Sequence, residues 1–482
     1  MYYKIMYKKP SAVWVESKII DDKIDPNYNN ALYIECLDDR YRKLDCEIKQ
    51  NGEIIDELTD YTANGSFGWL KQNVVYSDDT GVPFIRIKNI TEDGFDFGDL
   101  VYINTESYDK LKKSKLNGGE LLFSKTGSVG TTLVVPSNIN KMSLADNIFK
   151  VIYKPNIDTY YIDAFFKSYY GKLWVKRLSQ GGVQQTIIKN SFREIKIPIP
   201  SPEIQKYIGD KVRKAEELRE EAKKLKKEAE EIIYKKLGNI VLEDEKNYTA
   251  NYIREEDIFE RIDSEYYKEK YFRLQKQLKS KGFSLKTLDE LCDSNIFNGR
   301  TYKTTNKKRK YMNIGVGELG DWFILANGDK YIDENINTNY LLDRYSIIWG
   351  NSAHLAKYIG EKVNINLETN SYVPTTEITC IKPNLDKINP YYLFLYMKSN
   401  WGYYQVQRTV KGMTAHSYPE DVSKIIVPIL DFSFEELNVM KSAVELGYRY
   451  TKESKQLVQE AKQDVEDLIE GNFDMSKIKA HS

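Results

Sequence analysis

The chain contains one ordered series of motifs twice, and this repetition constrains its fold more than any other feature. The segment KPNIDTYYIDAFFKSYYGKLWVKR, which begins at Lys154, returns as KPNLDKINPYYLFLYMKSNWGYYQVQR from Lys382. The segment FREIKIPIP, which ends at Pro200, returns 230 residues later as VSKIIVPIL, which ends at Leu430. An ordered series of matches predicts two related domains. The length of 482 residues agrees, because one hydrophobic core seldom grows that large.

Each copy is followed by a long amphipathic segment. In the first, from Ser201 to Leu237, apolar residues recur every three or four positions and charged residues fill the other faces, which predicts a helix with one apolar stripe. Ser201 suits the N-cap of this helix and Gly238 suits its C-cap. The second segment, from Ser433 to Gly471, carries a similar stripe.

The two helices are expected to pair with each other, because a single amphipathic helix is only marginally stable in water. We predict an antiparallel coiled coil with pseudo-two-fold symmetry, in which helices of roughly 55 Å, at ~1.5 Å per residue, hold the two domains apart. An ordinary helical bundle that contributes only stability is the alternative. The residues expected at the pairing are Ile204, Ile208, Val212, Leu218, Leu225, Ile232, Leu437, Met440, Val444, Val458, Val465 and Leu468.

Both copies are rich in short apolar runs bounded by Gly, Pro and Asn, such as LLFSK from Leu121 and EITCIK from Glu377, which predict short strands. Aromatic segments with helical spacing are expected to pack on these strands. The predicted fold class is therefore α+β, with two similar globular domains, each followed by a long α-helix. The predicted boundaries are 1–200 for the first domain, 201–237 for the central helix, 238–432 for the second domain and 433–471 for the C-terminal helix.

Composition narrows the classes of function. The chain has 71 basic and 71 acidic residues, a balance that favours a protein-interaction scaffold with two ligand-binding domains on a coiled coil as the alternative to a nucleic-acid binder. No apolar run is long enough for a membrane span or a signal peptide. The 4 cysteines form no CxxC pair, so a reducing, cytoplasmic location is expected.

Motifs for catalysis or metal binding are absent from the sequence. The 3 histidines, His354, His416 and His481, have no second ligand at metal spacing. The glycine-rich segment SKTGSVG from Ser124 lacks the GxxxxGK[ST] order of a phosphate-binding loop. We therefore predict no catalytic residue and no metal site in this chain.

Each copy also opens on an [KR]ID-x-x-Y element, at Lys23–Tyr28 and again at Arg261–Tyr266. With GELLFSKTGSVGTTLVV from Gly119 and GGVQQTIIKNSFREIKIPIPSPEIQ from Gly181, this order of motifs resembles the specificity (S) subunit of type I restriction-modification systems. The resemblance covers nearly the whole chain. The second copy departs from it where SAHLAK, from Ser352, replaces KTGSVG.

The resemblance implies a non-catalytic DNA-recognition subunit with two target recognition domains, each reading one half of a bipartite sequence in double-stranded DNA. It implies that the long helices set the spacer and dock two methyltransferase (modification) subunits, and that restriction subunits join through the complex. S-adenosylmethionine for DNA adenine methylation, and ATP with Mg²⁺, are then expected on those partners, with no cofactor in this chain. A related restriction architecture with a combined nuclease and methyltransferase stays open as an alternative.

Polar loops between strands are where contacts to base edges are expected, because base edges are read by side chains and phosphates by cations. Glutamine can pair bidentately with adenine. A plain solvated turn is the alternative for each loop, and a solvated face for the basic cluster near residue 300. The predicted DNA-binding residues of the first domain are Lys125, Thr126, Ser128, Gln180, Gln184, Gln185 and Thr186. Those of the second domain are Asn351, Ser352, His354, Lys357, Lys411, Thr414, His416 and Ser417, with Arg300, Lys303, Lys307, Lys308 and Arg309 suited to phosphates.

Overall fold

The structure is a computed structural model that describes residues 28–182, 184–238, 240, 261, 263, 265–293, 295–326, 328–369 and 371–481. Residues 23–27 of the first opening motif, and residues 262 and 264 of the second, lie outside the described residues. The chain divides into two compact units. The first unit contains residues 1–219 and 451–482, and the second contains residues 220–450. Within the described part of the chain, no helix has the length and apolar character of a membrane span.

The strands are short, as their bounding glycines, prolines and asparagines predict. Those of the first unit are β1 (Glu47–Gln50), β2 (Ile55–Asp60), β3 (Tyr76–Ser77), β4 (Val82–Ile85), β5 (Ile90–Thr91), β6 (Gly94–Phe95), β7 (Val101–Ile103), β8 (Leu121–Ser124), β9 (Thr132–Val134), β10 (Ser143–Leu144), β11 (Ile148–Tyr153) and β12 (Lys196–Ile199). Those of the second are β13 (Ser284–Thr287), β14 (Ile296–Asn298), β15 (Thr304–Thr305), β16 (Met312–Ile314), β17 (Tyr331–Ile332), β18 (Ile347–Gly350), β19 (Ser352–Ala353), β20 (Asn364–Ile365), β21 (Tyr372–Pro374), β22 (Ile378–Ile381), β23 (Ala415–His416) and β24 (Ile426–Ile429).

The helices range from single turns to two very long segments. They are α1 (Ala31–Tyr33), α2 (Asp39–Tyr41), α3 (Asn51–Ile54), α4 (Phe67–Asn73), α5 (Thr105–Lys110), α6 (Thr159–Lys167), α7 (Tyr169–Leu178), α8 (Lys189–Glu194), α9 (Pro202–Leu237), α10 (Glu269–Ser280), α11 (Leu288–Cys292), α12 (Pro390–Lys398), α13 (Asn400–Thr409), α14 (Pro419–Val422), α15 (Phe434–Glu470) and α16 (Ser476–His481).

The two units have the same sheet topology. In the first unit the larger sheet has the order β2-β11-β8-β9, and the smaller has the order β10-β4-β7-β3. The second unit repeats these as β14-β22-β18-β20 and β21-β16-β17-β15. Even the single parallel pair of the smaller sheet recurs, between β4 and β10 and between β16 and β21. A two-stranded ribbon, β1 with β12 or β13 with β24, completes each unit. The predicted α+β fold with two similar domains is confirmed.

The central strands β8 and β18 are apolar along their whole length because both of their faces are covered. In β8, Leu121 and Phe123 point into the core beneath α6 and α7, whereas Leu122 packs against the smaller sheet. In β18, Ile347 and Trp349 face the helices and Ile348 faces the smaller sheet. This two-residue alternation is the pleat of a strand buried on both sides, which explains the continuous apolar runs in the sequence.

The aromatic segment of each copy forms two consecutive helices rather than one. The break is at Ser168 between α6 and α7, where the hydroxyl accepts from the Gly171 amide and donates to the Phe165 carbonyl. Ser399 occupies the same place between α12 and α13 and donates to the Tyr396 carbonyl. The glycine three residues after each serine, Gly171 or Gly402, lets the second helix approach the first closely.

The tyrosine of each opening motif is held by an arginine near the end of the second aromatic helix. In the first unit the Nε of Arg177 donates to the Tyr28 carbonyl (3.0 Å), and its guanidinium lies 4.3 Å from the centroid of the Tyr28 ring. In the second unit Arg408 makes the same two contacts with Tyr266, at 3.1 and 4.1 Å. The motif therefore has a structural role in tying the start of each copy to its helical layer.

The long helices α9 and α15 pack against each other in antiparallel directions within the first unit. Lys211 on α9 forms an ion pair with Asp464 on α15 (2.5 Å). One turn earlier, the ring of Tyr207 meets that of Phe473, which follows α15, edge to face (6.2 Å between ring centroids). The contact residues in and after α15 therefore have falling residue numbers as those on α9 rise, which shows that the two helices run antiparallel. The apolar residues shared in this core are Ile204, Ile208, Val212, Ala461, Val465 and Ile469.

The second unit contains the same antiparallel arrangement, built from the other parts of the two helices. Lys226 lies over the ring of Phe323 (5.4 Å), which in turn contacts Tyr448 on α15 (5.4 Å). Ten residues later, Lys236 forms an ion pair with Glu436 (2.9 Å). The fully buried residues on this contact are Ala229, Ile233, Leu237, Met440, Ala443 and Val444.

The helix ends agree with the sequence, but the apolar stripe differs at two places. Gly238 and Gly471 follow the helices with φ of 76° and 75°, as C-cap glycines do. Ile233 and Ile469 are buried in the cores, whereas the predicted Ile232 and Leu468 are only half-buried. The buried positions step by four near these ends because the helices pack on a broad globular core as well as on each other. Of the other predicted pairing residues, Leu218 and Val458 are buried, and Leu225 and Leu437 are half-buried against the second core.

The close approach of the aromatic helices predicts a large effect from one methyl group. A Cβ at position 402 would lie 2.5 Å from both the Tyr396 carbonyl oxygen and the Met397 Cα. Gly402→Ala should therefore lower the free energy of unfolding by about 1–3 kcal/mol. Gly317→Ala, where a Cβ meets nothing within 4 Å, is the control. Chemical denaturation of both variants checks the prediction, and equal midpoints would contradict it.

Candidate nucleic-acid interface

Two loops of the first unit lie side by side at the end of β8. The first, residues 125–130, follows β8, and the second, residues 180–186, follows α7; we call them the first loop pair. The second loop closes as a hairpin in which the backbones of Gln180 and Thr186 exchange hydrogen bonds of 2.8 Å. Gly127 and Gly181, with φ of 75° and 105°, supply the left-handed backbone that these turns need.

Several predicted residues of this loop pair hold the loops together. The Thr186 hydroxyl donates to the Lys125 carbonyl (3.0 Å) and lies 3.1 Å from the Thr126 hydroxyl. The Lys125 amide donates to the carbonyl of Asn147, in the turn before β11. Lys125, Thr126 and Thr186 therefore form a frame that fixes three segments relative to one another.

The Lys125 ammonium is also engaged, by the carboxylate of Asp60 at the end of β2 (3.2 Å). Lys189 contacts the other oxygen of the same carboxylate (3.2 Å). Burial alone would raise the pKa of Asp60, but the hydrogen bond from Thr62 and the two lysines outweigh it and hold this pKa below its usual value. The Lys125 side chain is only 17% exposed, so its charge serves mainly to anchor the loop.

The remaining predicted residues of the first loop pair are exposed. Ser128 lies at the tip of the first loop, and Gln180, Gln184 and Gln185 lie along the hairpin. Amide and hydroxyl groups of this kind can donate and accept hydrogen bonds at the edges of base pairs. The arrangement is thus a rigid frame that carries three exposed carboxamides and a hydroxyl.

The second unit has an equivalent loop pair, residues 351–358 after β18 and residues 411–417 after α13. The Asn351 amide donates to the Glu377 carbonyl, and the Asn351 carbonyl accepts from the Ser417 amide. Lys125 makes the equivalent backbone bonds in the first unit, where its amide donates to the Asn147 carbonyl and its carbonyl accepts from the Ile187 amide. Ser352 and Ala353 pair with His416 and Ala415 as a short antiparallel ribbon, β19 with β23. We call this the second loop pair.

Two predicted DNA-binding residues of the second loop pair are buried, which corrects their assignment. Asn351 is 2% exposed and donates through Nδ2 to the Thr376 carbonyl (3.1 Å). Ser417 is 1% exposed and shares a hydrogen bond with the Thr409 hydroxyl (2.5 Å). Their polar groups are used inside the unit, so these side chains support the loops. Ser352 and His416 are half-buried, and His354, Lys357 and Thr414 are exposed.

Lys411 begins the second hairpin and is anchored as Lys125 is. Its ammonium contacts Asp421 (2.7 Å), a carboxylate that also pairs with Arg261 of the opening motif (3.2 Å). The same ammonium lies 4.9 Å from the centroid of the Tyr418 ring. In both units, therefore, a lysine at the loop pair forms an ion pair with an inward carboxylate that a second cation shares.

The predicted basic cluster begins beside the second loop pair. The Arg300 amide donates to the Pro374 carbonyl, and the hydroxyl of Thr301 lies 3.2 Å from that of Thr376, the residue that Asn351 holds. The chain then continues through β15 into an exposed turn. The cationic side chains exposed along it are Arg300, Lys303, Lys307, Lys308 and Arg309, the last of which pairs with Asp333 (2.8 Å). Exposed cations next to polar loops are suited to phosphates.

A comparison with known protein families identifies the kind of domain that carries the first loop pair. Residues 46–232 match the family model of the type I restriction modification DNA specificity domain. Residues 46–232 are therefore a type I restriction-modification DNA specificity domain. The resemblance seen in the order of motifs is confirmed. The specificity domain includes both loops of the first loop pair and most of α9.

Individual relatives are distant. A curated protein of Methanocaldococcus jannaschii, named as a type I restriction enzyme MjaX specificity subunit, is 26% identical over 172 residues, which are 34% of this chain and 39% of that protein. The match thus spans well under half of that relative's length. Among solved structures, the S subunit of a type I restriction-modification system from M. genitalium aligns over 90% of this chain and 97% of its own, with 12% identity and a TM-score of 0.42. The HsdS subunit from Thermoanaerobacter tengcongensis aligns over 89% and 97%, with 12% identity and a TM-score of 0.28.

Sequence reasoning missed the residues that frame the loops of the specificity domain. Asp60 and Asn147 are distant from Lys125 in the chain and carry no motif. One local signal exists for Asn147, because an asparagine directly before an apolar run is suited to a positive φ, and its φ is 69°. Asp421 and Thr376 of the second unit were missed for the same reason, since only the tertiary fold brings them to the loops.

The ion pairs of Asp60 predict a pH-dependent contribution to stability. Because its folded-state pKa lies below the unfolded value of ~3.9, the ionised carboxyl stabilises the fold above about pH 4, and this contribution is lost as the pH falls through the folded-state pKa. Asp60→Asn should lower the free energy of unfolding at pH 7 by about 1–3 kcal/mol. The difference from the parent should shrink in acid.

Asp56→Asn, an exposed position on the same strand, is the matched control for this prediction. Urea denaturation of the parent and both variants at pH 7 and at acidic pH provides the measurement. If Asp60→Asn and Asp56→Asn behave alike at pH 7, the frame does not depend on this carboxylate.

Proposed function

We propose that this chain is the DNA sequence-recognition subunit of a type I restriction-modification complex. Each unit acts as a target recognition domain and reads one half of a bipartite sequence in double-stranded DNA. The chain itself catalyses no reaction. S-adenosylmethionine, ATP and Mg²⁺ belong to the partner subunits in this proposal.

One observation extends the proposed role from the matched residues to the second unit. The family match ends at residue 232, yet the second unit repeats the sheet orders, the parallel strand pair and the loop pair of the specificity domain. A second copy of the same fold supports a second copy of the same task. The side chains on the two loop pairs differ, as reading two different half-sites requires.

The division of each loop pair into a frame and exposed polar groups supports base reading by the exposed groups. Hydrogen bonds to base edges discriminate only if the reading groups are held in position, because a mobile side chain can adapt to any base. In the first unit the groups available for this are Ser128, Gln180, Gln184 and Gln185. In the second they are His354, Lys357 and Thr414, with phosphates bound by the basic residues from Arg300 onward.

In this proposal the long helices set the distance between the half-sites and dock two modification subunits. The helices have 36 and 37 residues, and each is therefore about 55 Å long at ~1.5 Å per residue. Their outward faces are densely charged, as in KKLKKEAEE from Lys223. A charged, exposed helical face suits docking to a polar protein surface.

Substitution of the exposed glutamines tests the reading role. The double variant Gln184→Ala/Gln185→Ala should relax specificity in one half-site, with a loss of about 1–3 kcal/mol in discrimination for each bidentate contact removed, and leave the other half-site unchanged. Mapping methylated adenines in cells that carry the assembled system gives both half-sites at once.

Lys357→Ala/Thr414→Ala is the matched variant in the second unit and should affect only the other half-site. If both double variants leave both half-sites unchanged, these loops do not read bases. If the parent system directs no sequence-specific methylation, the scaffold interpretation replaces the proposal.

A change in helix length tests the spacer role. Inserting seven residues into both α9 and α15 keeps the apolar stripe in register and adds ~10.5 Å, which is about three base pairs at ~3.4 Å each. Mapped methylation sites should keep their half-sites and gain about three base pairs of spacer. An insertion of seven solvent-exposed residues after Asp386, in a surface turn, is the control and should leave the spacer unchanged. An unchanged spacer in the helix variant would contradict the ruler role.

A further inference from the structure

The tip of the second hairpin presents an apolar side chain to solvent. The hairpin is closed by two backbone hydrogen bonds between Lys411 and His416, of 2.8 and 3.0 Å. Gly412, with φ of 89°, makes the turn, and Met413 follows it. Met413 is fully exposed, at 107% of its reference area. One exposed apolar side chain is ordinary on a protein surface, but Met413 stands at the tip of a hydrogen-bonded hairpin, and the loop paired with this hairpin exposes further apolar residues.

The segment that carries Met413 is firmly held. His416 and Ala415 pair with Ser352 and Ala353, and the Nδ1 of His416 lies 2.6 Å from the Thr414 carbonyl oxygen. The base of the hairpin is fixed by the ion pair of Lys411 with Asp421. A fixed hairpin can press its tip into a partner without first losing conformational entropy.

Further exposed apolar residues accompany Met413 on the neighbouring strand. Leu355 follows two residues after Ala353, which pairs with Ala415, and it is 53% exposed. Tyr358, 49% exposed, lies on the turn after it. This turn is also fixed, because the side-chain Nε2 of Gln407 donates to the carbonyls of Ala356 and Ile359 at 2.9 and 2.6 Å.

The surroundings of this tip favour DNA over a protein or a lipid surface as its partner. His354 and Lys357 are exposed on the strand beside it, and Arg300 begins the basic cluster that adjoins the same loop pair. Asp421, whose ion pair with Lys411 fixes the base of the hairpin, is 7% exposed and is also engaged by Arg261. A mixed basic and apolar tip is what proteins that distort DNA use, since they insert Met, Leu, Ile or Phe between base steps while cations hold the phosphates.

We propose that Met413 is a wedge that inserts between two stacked base pairs at the half-site read by the second unit. Leu355 covers the opened step from the side, and the cations of the loop pair hold the flanking phosphates. Unstacking one step costs a few kcal/mol, and that cost depends on the step, so the wedge adds sequence preference at a position without hydrogen bonds. This proposal rests on the proposed function and adds a mechanism of reading to it.

The first hairpin offers a comparison at the level of sequence. There, QGGVQQT from Gln180 also places an apolar residue directly after glycine, at residue 183, which lies outside the described residues. The two hairpins thus share a glycine followed by an apolar residue, although their polar residues differ.

The test uses the full-length chain and a duplex that it selects from a random-sequence library. 2-Aminopurine, whose fluorescence rises when its stacking is lost, replaces each adenine of the duplex in turn. We expect the parent chain to raise the fluorescence at one step of one half-site. Met413→Ala should abolish this rise and weaken binding about tenfold, whereas Met413→Leu should retain both.

Leu385→Ala, which removes another strongly exposed apolar side chain, is the control and should change neither quantity. A duplex with a mismatch at the affected step, already partly unstacked, should reduce the defect of Met413→Ala to less than about threefold. Equal loss on the matched and the mismatched duplex would overturn the wedge, because a folding defect or a lost surface contact would weaken both.

The outcomes separate the two proposals. Selection of no sequence by the parent chain would overturn sequence recognition and the wedge together. Selection of a sequence without any change in fluorescence, or with the same change in Met413→Ala, would overturn the wedge alone and leave recognition standing.

Discussion

The structure depends on the burial of the apolar stripes of α9 and α15, because neither unit has a complete core without both helices. The first core takes Ile208 from α9 and Val465 from α15, and the second takes Ile233 and Met440. Partners such as Lys211 and Asp464 are 253 residues apart in the chain. Each unit must therefore bring together distant parts of the polypeptide before its core closes, which makes the fold cooperative and rich in long-range contacts.

Within that constraint, the repeated motifs carry structure and the loops between them carry the differences. The motif residues make the same contacts twice, as when Arg177 holds Tyr28 and Arg408 holds Tyr266. The two loop pairs also share the same backbone hydrogen bonds. In the first, the carboxylate of Asp60 holds Lys125 in place, whereas in the second the buried side-chain carboxamide of Asn351 holds Thr376. A fold that holds its loops by an ion pair in one copy and by a hydrogen bond in the other can also carry different exposed side chains on those loops without a change of topology.

The sequence predicted those features that local patterns determine. The duplication, the central strands, the two long helices and their glycine caps follow from spacing and from residue type within short windows. Ile233 and Ile469 replaced the predicted Ile232 and Leu468 because the burial of a helix face depends on what it packs against, which a heptad count does not contain. The burial of Asn351 and Ser417, and the role of Asp60, depend on hydrogen bonds and ion pairs between segments far apart in the chain. No local pattern records such pairs.

The balance of 71 basic and 71 acidic residues has a local counterpart in the ion pairs that hold the two loop pairs. Lys125 and Lys411 lie in the loops predicted to contact DNA, yet the ammonium group of each forms an ion pair with an inward carboxylate, Asp60 or Asp421. Under the proposed function, the electrostatic part of DNA affinity then comes mainly from cations that stay exposed, such as Lys357 and those from Arg300 onward. Non-specific binding rests on that same electrostatic term, whereas discrimination rests on positioned hydrogen bonds and on the cost of deforming the DNA. Under the proposed function, lysines that are engaged in holding the loops add little to the affinity for random DNA, whereas the loop geometry that they hold supports discrimination between sequences.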